Sequence, residues 1–402
     1  MVNHAVLASS EYYVSPSEVH SCCTRCLQGA FAIGTPFGYA AGTTGGGNAA
    51  APFLLTNTDG AICRLGDNTP RVILLDKTYD FTDLEGSETG KVCKPWTCSP
   101  GAQVAIDVNG WCGREQKNAK TDTATWKKAG LTAIKVGSNK TLLGKGTAGW
   151  IKGKGLRIAG SSNIIIQNVR FSDINAAFVW GGDALTIDGG KQIWIDHNYF
   201  KNVGRQFIVT GYGAAQGVTI SDNVFDGSGD TQRLLSVVLA AMDTTTGRST
   251  SLVLRIPSPL LVTIFIRLLV VVPGLALTQD AEVVHMYNNY FVDITDHALD
   301  ADTGSHVLLE GNYFNRVLQP SLSGRSGIVF GPTSSAMNAQ CKATLGRDCA
   351  SNTLLGSGQL AGAANGNAIG YFNNNAVKGA SVMDPSKVGA YVQNNAGTGK
   401  IN

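Results

Sequence analysis

A short run of alternating apolar residues, followed by Asn and then an aromatic, recurs along this 402-residue chain and restricts what it can fold into. Ile164-Ile165-Ile166-Gln167-Asn168 leads to Phe171, and Ile193-Trp194-Ile195-Asp196-His197-Asn198 runs into Tyr199-Phe200. Val218-Thr219-Ile220-Ser221-Asp222-Asn223-Val224-Phe225 follows. Later come Val283-Val284-His285-Met286-Tyr287-Asn288-Asn289-Tyr290-Phe291 and Val307-Leu308-Leu309-Glu310-Gly311-Asn312-Tyr313-Phe314. From Asn to Asn the steps are 30 (168 to 198), 25 (198 to 223), 66 (223 to 289) and 23 (289 to 312). A period in the twenties with one short strand per repeat is a solenoid pattern, in which no repeat buries its own apolar face and stacking must do so. Alternation sends Ile and Val inward, while Asn accepts the left-handed turn and hydrogen-bonds its equivalent on the next coil. The pattern predicts an all-β chain, a right-handed single-stranded parallel β-helix. A β-sandwich with similar strands is the competing arrangement, and the L-x-x-L-x-L framework of leucine-rich repeats is missing. The step of 66 equals two or three coils with no visible repeat inside.

Composition agrees with a globular chain: 43% of residues are hydrophobic and 15% charged. The 49 glycines against 12 prolines, with no collagen-like period, fit many tight turns between short strands. A formal charge of +3, scattered along the chain, gives no footprint for nucleic acid, although a mildly basic groove suits an acidic polysaccharide. Nine cysteines fall at Cys22, Cys23, Cys26, Cys63, Cys93, Cys98, Cys112, Cys341 and Cys349, and their spacings match no zinc pattern well. Closely spaced loop cysteines read better as disulfides of an exported protein. Residues 1–32 nevertheless form an atypical N-terminus: polar up to Cys26 and without the apolar stretch of a secretion signal, although Ala30-Phe31-Ala32 has the form of a cleavage site. They read as the remnant of a secretion signal behind a misassigned start. Residues 33–402 read as one β-helix domain.

Trp180-Gly181-Gly182-Asp183-Ala184 and Gly204-Arg205-Gln206 lie nearly one repeat apart, so Asp183 and Arg205 should stack on neighbouring coils. A carboxylate beside a guanidinium is either an exposed cross-strand ion pair or a site for a uronate, whose carboxyl oxygens match the arginine fork. Trp180 stacks on a sugar ring or packs against the coil, and Lys154 is a further candidate for substrate binding. Asp196 and His197 are consecutive within a strand, so their side chains should face opposite ways and cannot share one site. Asp293, Asp296, Asp300 and Asp302 read as turn residues, with a calcium cluster as the alternative.

Five blocks carry a resemblance: Phe37-Gly38-Tyr39-Ala40-Ala41-Gly42-Thr43-Thr44-Gly45-Gly46-Gly47, Ile151-Lys152-Gly153-Lys154-Gly155-Leu156-Arg157, Trp180-Gly181-Gly182-Asp183-Ala184, Ile193-Trp194-Ile195-Asp196-His197 and Gly204-Arg205-Gln206. The chain resembles the fungal and oomycete pectin lyases, secreted β-helix enzymes that cleave methyl-esterified pectin by β-elimination. The likeness runs from about Thr35 to Asp230 and resumes from about Val283 to Cys349. It implies that Asp183 and Arg205 belong to the active site, and that Arg205 stands where related pectate lyases place a calcium ligand. It therefore implies a cofactor-independent enzyme acting on neutral, esterified galacturonate. The family's base is a further Arg in an S-G-R-x-P block. The resemblance also implies disulfides Cys93–Cys112 and Cys341–Cys349, with Cys98 joined to a cysteine of a T-C-[ND]-G block.

Neither of those two blocks exists here, and both should fall in the anomalous interval. In their place runs Leu260-Leu261-Val262-Thr263-Ile264-Phe265-Ile266-Arg267-Leu268-Leu269-Val270-Val271-Val272, interrupted by Arg267 and ended by Pro273, and shorter than the roughly 20 apolar residues a membrane span needs. If the last base of each codon joins the first two of the next, Val262 to Ile266 can spell G-N-Y-I-Y, the absent repeat. The junctions from Leu268 to Pro273 can spell S-G-R-x-P, with the Arg across Val270 and Val271. Upstream, Ala240 to Asp243 can spell C-[ND]-G, and Thr246/Gly247 can give Trp. Residues 231–278 are therefore expected to be translated out of frame. As written the chain lacks the family's base, leaves Cys98 unpaired and should be impaired; Arg255 and Arg267 have no context resembling the block. The expected partner is methyl-esterified pectin of plant cell walls, met outside the cell by a monomer, with neither nucleic acid nor membrane involved. A calcium-dependent pectate lyase and an inactive carbohydrate-binding β-helix are the alternatives.

Overall fold

The computed structural model describes residues 34–47, 53–54, 64–97, 102–210, 213–228, 235–242, 249–256, 263–271, 282–295, 297–301 and 304–401. Short parallel strands wind into a β-helix. A long sheet and a seven-stranded sheet form its walls, and a four-stranded sheet stands beside it. In the long sheet Ile164, Ile193 and Val218 are aligned on successive coils, as are Ile166, Ile195 and Ile220. All six are buried, as the alternation requires. Phe171, Phe200 and Phe225 stack in a column with ring centroids 5.1 and 5.0 Å apart, and Phe291 lies 4.7 Å from Phe314.

The asparagines bond from coil to coil as expected. Asn198 Nδ2 donates to Asn223 Oδ1 at 3.0 Å, and Asn289 and Asn312 pass the same bond on to Asn312 and Asn352 at 2.7 and 2.8 Å. The left-handed residue, however, is the one before Asn198, Asn223, Asn289 and Asn312: His197, Asp222, Asn288 and Gly311. Asn168 is itself left-handed, because Gln167 aligns with Asp196 and puts Asn168 level with His197. The first step of the repeat is thus 29 rather than 30, with Val169 in the ladder position, where its N–H bonds Asn198 Oδ1 at 2.9 Å.

Within the anomalous interval, strands Leu235–Met242, Ser249–Ile256 and Thr263–Val271 are described. The first runs parallel to Gln206–Thr210. The second turns back antiparallel upon it and meets Asp300–Ala301 antiparallel. The third lies antiparallel to both Gln216–Asp226 and Glu282–Tyr287. Two strands thus run against the direction that coiling imposes on every other strand of these two sheets. Cys22, Cys23, Cys26, Cys63 and Cys98 lie outside the described residues, whereas Cys93–Cys112 and Cys341–Cys349 are disulfides. Among the described residues no helix is long and apolar enough to cross a membrane.

Both ends of the described chain bridge this interval. Ala40 N and the Phe37 carbonyl bind Thr219 Oγ1, Thr44 N and Gly45 N reach Asn163 Oδ1, and the Tyr39 hydroxyl accepts from Asn374. Tyr39 packs against the cluster of Val283, Leu308 and Phe330. At the other end, helix Pro385–Asn395 packs on Tyr290 and Tyr313. Gly397 and Gly399 then donate to the Asp222 carbonyl and Asn168 Oδ1 at 2.8 and 2.7 Å.

Glu282 opens the first strand after the interval and is fully buried, and its Oε2 has no hydrogen-bond partner among the described residues. Burial without a compensating charge pushes its carboxyl up to about 8. Between the usual glutamate range and pH 8 the folded chain holds a proton that the unfolded chain has released, so stability falls as pH rises through that window. Glu282→Gln should match the parent near pH 4 and exceed it by a few kcal/mol at pH 8. Melting curves across that range check this, and a difference that does not grow with pH contradicts it.

Candidate active site

The seven-stranded sheet aligns Leu156, Leu185 and Ile208 on successive coils. The residues just ahead of these strands, Lys154, Asp183 and Arg205, therefore gather at one end of the sheet. Asp183 and Arg205 meet as their spacing predicts, with Arg205 Nη1 3.7 Å from Asp183 Oδ2. Asp183 Oδ1 accepts the Gln206 N–H at 3.1 Å, which ties the carboxylate to the coil that carries the arginine. Burial raises the Asp183 pKa, while Arg205 and the Gln206 N–H pull it back.

The Arg205 guanidinium lies 4.4 Å from the centroid of the Trp180 ring, a cation–π contact on a largely buried ring. Trp111 meets Trp180 edge-on at 5.6 Å, and Trp96 lies 6.3 Å from Trp111. The Cys93–Cys112 bridge sits in the same aromatic cluster. Trp180 has Arg205 on its ring and Trp111 beside it, so the indole is packed in this cluster. Among the described residues the guanidinium makes no hydrogen bond, and its ion pair with Asp183 is longer than one. A guanidinium fork matches the two oxygens of a carboxyl or ester group in geometry.

Lys154, the further candidate for substrate binding, is held within the fold. It is buried, and its ammonium donates to the Glu85 carboxylate and to Thr132 Oγ1. Burial lowers its pKa and Glu85 opposes that shift. Glu85 and Thr132 lie 69 and 22 residues away, and nothing in the sequence announces them.

Asp196 and His197 overturn the expectation that they face apart. The strand ends at Asp196 and His197 turns left-handed, with φ 52°, so its Nδ1 reaches Asp196 Oδ2 at 2.7 Å. Asp196 also accepts from Gln167 and Ser221 at 2.8 and 2.5 Å. With Asp222 these two form the one group with metal-ligand spacing among the described residues, and it lies on the long sheet rather than beside Asp183. Of the later aspartates, Asp293 pairs with Arg316 and Asp300 with Arg325, while Asp296 and Asp302 lie outside the described residues.

A family model described as pectate lyase matches residues 32–232. The chain is 38% identical over 373 residues to a probable pectin lyase B of Aspergillus niger, covering 92% of this chain and 94% of that one. The chain belongs to the pectate lyase family, on its pectin lyase side. It is also 40% identical to pectin lyase D of Aspergillus niger over 332 residues, 82% of this chain and 85% of that one. Solved β-helices agree in fold: a thermostable pectate lyase has a TM-score of 0.54 at 17% identity, covering 92% of this chain and 99% of that one. A pectate lyase bound to a hexasaccharide has a TM-score of 0.52 at 18% identity, covering 92% and 98%.

In this family member Lys154 is tied into the coil, and its removal should act on stability. Lys154→Met leaves the partly buried Glu85 without its cation and should cost about 2 kcal/mol, below the figure for a fully buried pair, most of it regained in Lys154→Met/Glu85→Leu. Denaturant unfolding measures both, and pectin affinity should stay unchanged in the double variant. A stable double variant that no longer binds pectin would return Lys154 to the ligand.

Proposed function

We propose that this chain descends from an eliminative pectin lyase that cuts (1→4)-α-D-galacturonan methyl ester within the chain and leaves 4,5-unsaturated ends. The observation that carries this reading is the guanidinium of Arg205, held between Trp180 and Asp183 with its fork uncommitted among the described residues. In the reaction a base removes the C5 proton, the electron pair forms the C4–C5 double bond, and the O4 substituent leaves with the glycosidic bond. Negative charge collects on the ester carbonyl in the transition state, and a fixed cation beside it stabilises that charge. Asp183 holds Arg205 in place and balances its charge. Arg205 supplies the cation itself, which fits a reaction without calcium or another cofactor. The two disulfides fit an oxidising compartment, hence action outside the cell on plant cell-wall pectin. Nothing in the reading calls for more than one copy of the chain.

The base is the missing part. The family's S-G-R-x-P block is absent from the sequence, and we hold that residues 231–278 are read out of frame, with the block surviving across Val270 and Val271 in the shifted frame. The reversed strands Ser249–Ile256 and Thr263–Val271 are what a substituted stretch does inside a coiled fold, and they favour a second reading of the 402-residue chain as an inactive carbohydrate-binding β-helix. Two purified proteins separate these readings, the chain as written and one with the shifted frame restored. Only the restored chain should release products with the ultraviolet absorbance of a conjugated unsaturated uronate, and a chelator should not affect it. Release by the chain as written refutes the impairment. Inactivity of both refutes the lyase. Activity lost on chelation, together with preference for unesterified substrate, identifies a calcium-dependent pectate lyase.

A further inference from the structure

The turn that carries Arg205 and the turn that carries Trp180 belong to successive coils, yet guanidinium and indole are in contact. Backbone bonds hold part of this arrangement: Gly204 N donates to the Ile174 carbonyl at 2.7 Å and Arg205 N to the Gly182 carbonyl at 3.1 Å. Asn175 adds a side-chain link, donating to the carbonyls of Gly181 and Lys127. The space is tight, since a Cβ on Gly204 would lie 2.6 Å from the Phe178 carbonyl oxygen.

One buried side chain from outside the coil joins the two turns. Gln103 is 2% exposed, and its Nε2 donates to the Gly204 carbonyl at 2.7 Å and to the Ala176 carbonyl at 2.8 Å. Gly204 directly precedes Arg205, and Ala176 stands four residues before Trp180. Gln103 directly precedes the strand Val104–Ile106, which pairs with Phe178–Val179, the strand leading into Trp180. That strand also pairs with Cys93, so the amide is anchored in the module closed by Cys93–Cys112.

We propose that Gln103 is a positioning residue of this site: its amide clamps the Arg205 turn to the Trp180 turn and so sets the guanidinium against the indole. Both amide hydrogens are used, and each satisfies a main-chain carbonyl that would otherwise lose its donor. A methionine would fill the same space and satisfy neither. Asparagine, one methylene shorter, would draw the amide back from both carbonyls.

The test reads the contact itself. In an isotope-labelled chain the Arg205 Nε–H resonance should be shifted by the ring current of Trp180, and Trp180→Leu assigns that shift. Gln103→Met should keep both disulfides and the far-ultraviolet dichroism of the parent, yet move the resonance toward that of an exposed arginine. Val92→Ala, a cavity in the same buried cluster away from the clamp, serves as a control for lost stability and should leave the resonance in place. If Gln103→Met does not fold, Gln103→Asn must show a smaller shift in the same direction. An unmoved resonance in the folded glutamine variants overturns the proposal, as does an equal shift in Val92→Ala. A second arm rests on the proposed function: affinity for a methyl-esterified oligogalacturonate should fall about tenfold in Gln103→Met and not in Val92→Ala. If the unaltered chain does not bind that oligosaccharide, the functional reading fails, while the resonance still decides the clamp.

Discussion

Everything in this molecule depends on contact between one coil and the next. No coil has a core of its own, so the apolar residues of each strand find burial only against the equivalent residues of its neighbours. The asparagine ladder adds direction to that attraction. Asn198 donates its amide both to Asn223 and to the Ile166 carbonyl, so a shift of one residue between coils would leave buried polar groups unpaired. The site inherits this precision. Asp183 and Arg205 are on different coils, and the distance between them is a consequence of register, not of local sequence.

This explains what was legible in the sequence and what was not. Alternation, ladder Asn and trailing aromatic are local patterns that report a local requirement, and from them the β-helix and the pairing of Asp183 with Arg205 could be read. The backbone turn was misplaced by one residue, because Asn tolerates a left-handed conformation and looks like its natural occupant, whereas His197 and Asp222 adopt it. The same turn brings His197 round to Asp196, which strict alternation forbids. Partners far apart in sequence left no trace. Lys154 with Glu85, and Gln103 with Gly204, meet only because coils and the side sheet pack together. Trp180 was legible as an aromatic near the site, but its contact with Arg205 on the next coil was not.

The interval of 66 residues without a repeat also has a structural counterpart. Strands that run backwards cannot continue a coil, so on both sheets the earlier coils are joined to the later ones through antiparallel pairing instead of regular stacking. The two blocks are nevertheless held together from outside. Residues 37–45 cross the outer face of the long sheet from Asn163 to Asn374, and residues 383–399 cross from Asn288 to Asn168. Val224 and Tyr290, from opposite sides of the interval, share one cluster with the C-terminal helix. Such straps order the blocks without needing the segment between them to form regular coils.

Several arginines of this chain pair with acids, and the geometry of pairing separates their roles. Arg347 grips the Glu310 carboxylate with two nitrogens at 2.7 and 2.8 Å, and that carboxyl is held down at about 2. Arg316 grips Asp293 in the same two-pronged way. In both, the fork is occupied and the pair closes on itself. Arg205 stands otherwise. Its acid is 3.7 Å away and is itself bound by a backbone N–H, its plane lies on an indole, and burial has raised the Asp183 pKa instead of lowering it. This guanidinium is held by its face and by its neighbour's charge, with its donors left uncommitted among the described residues. That arrangement survives in this chain even though the residue expected to act as base is missing from it.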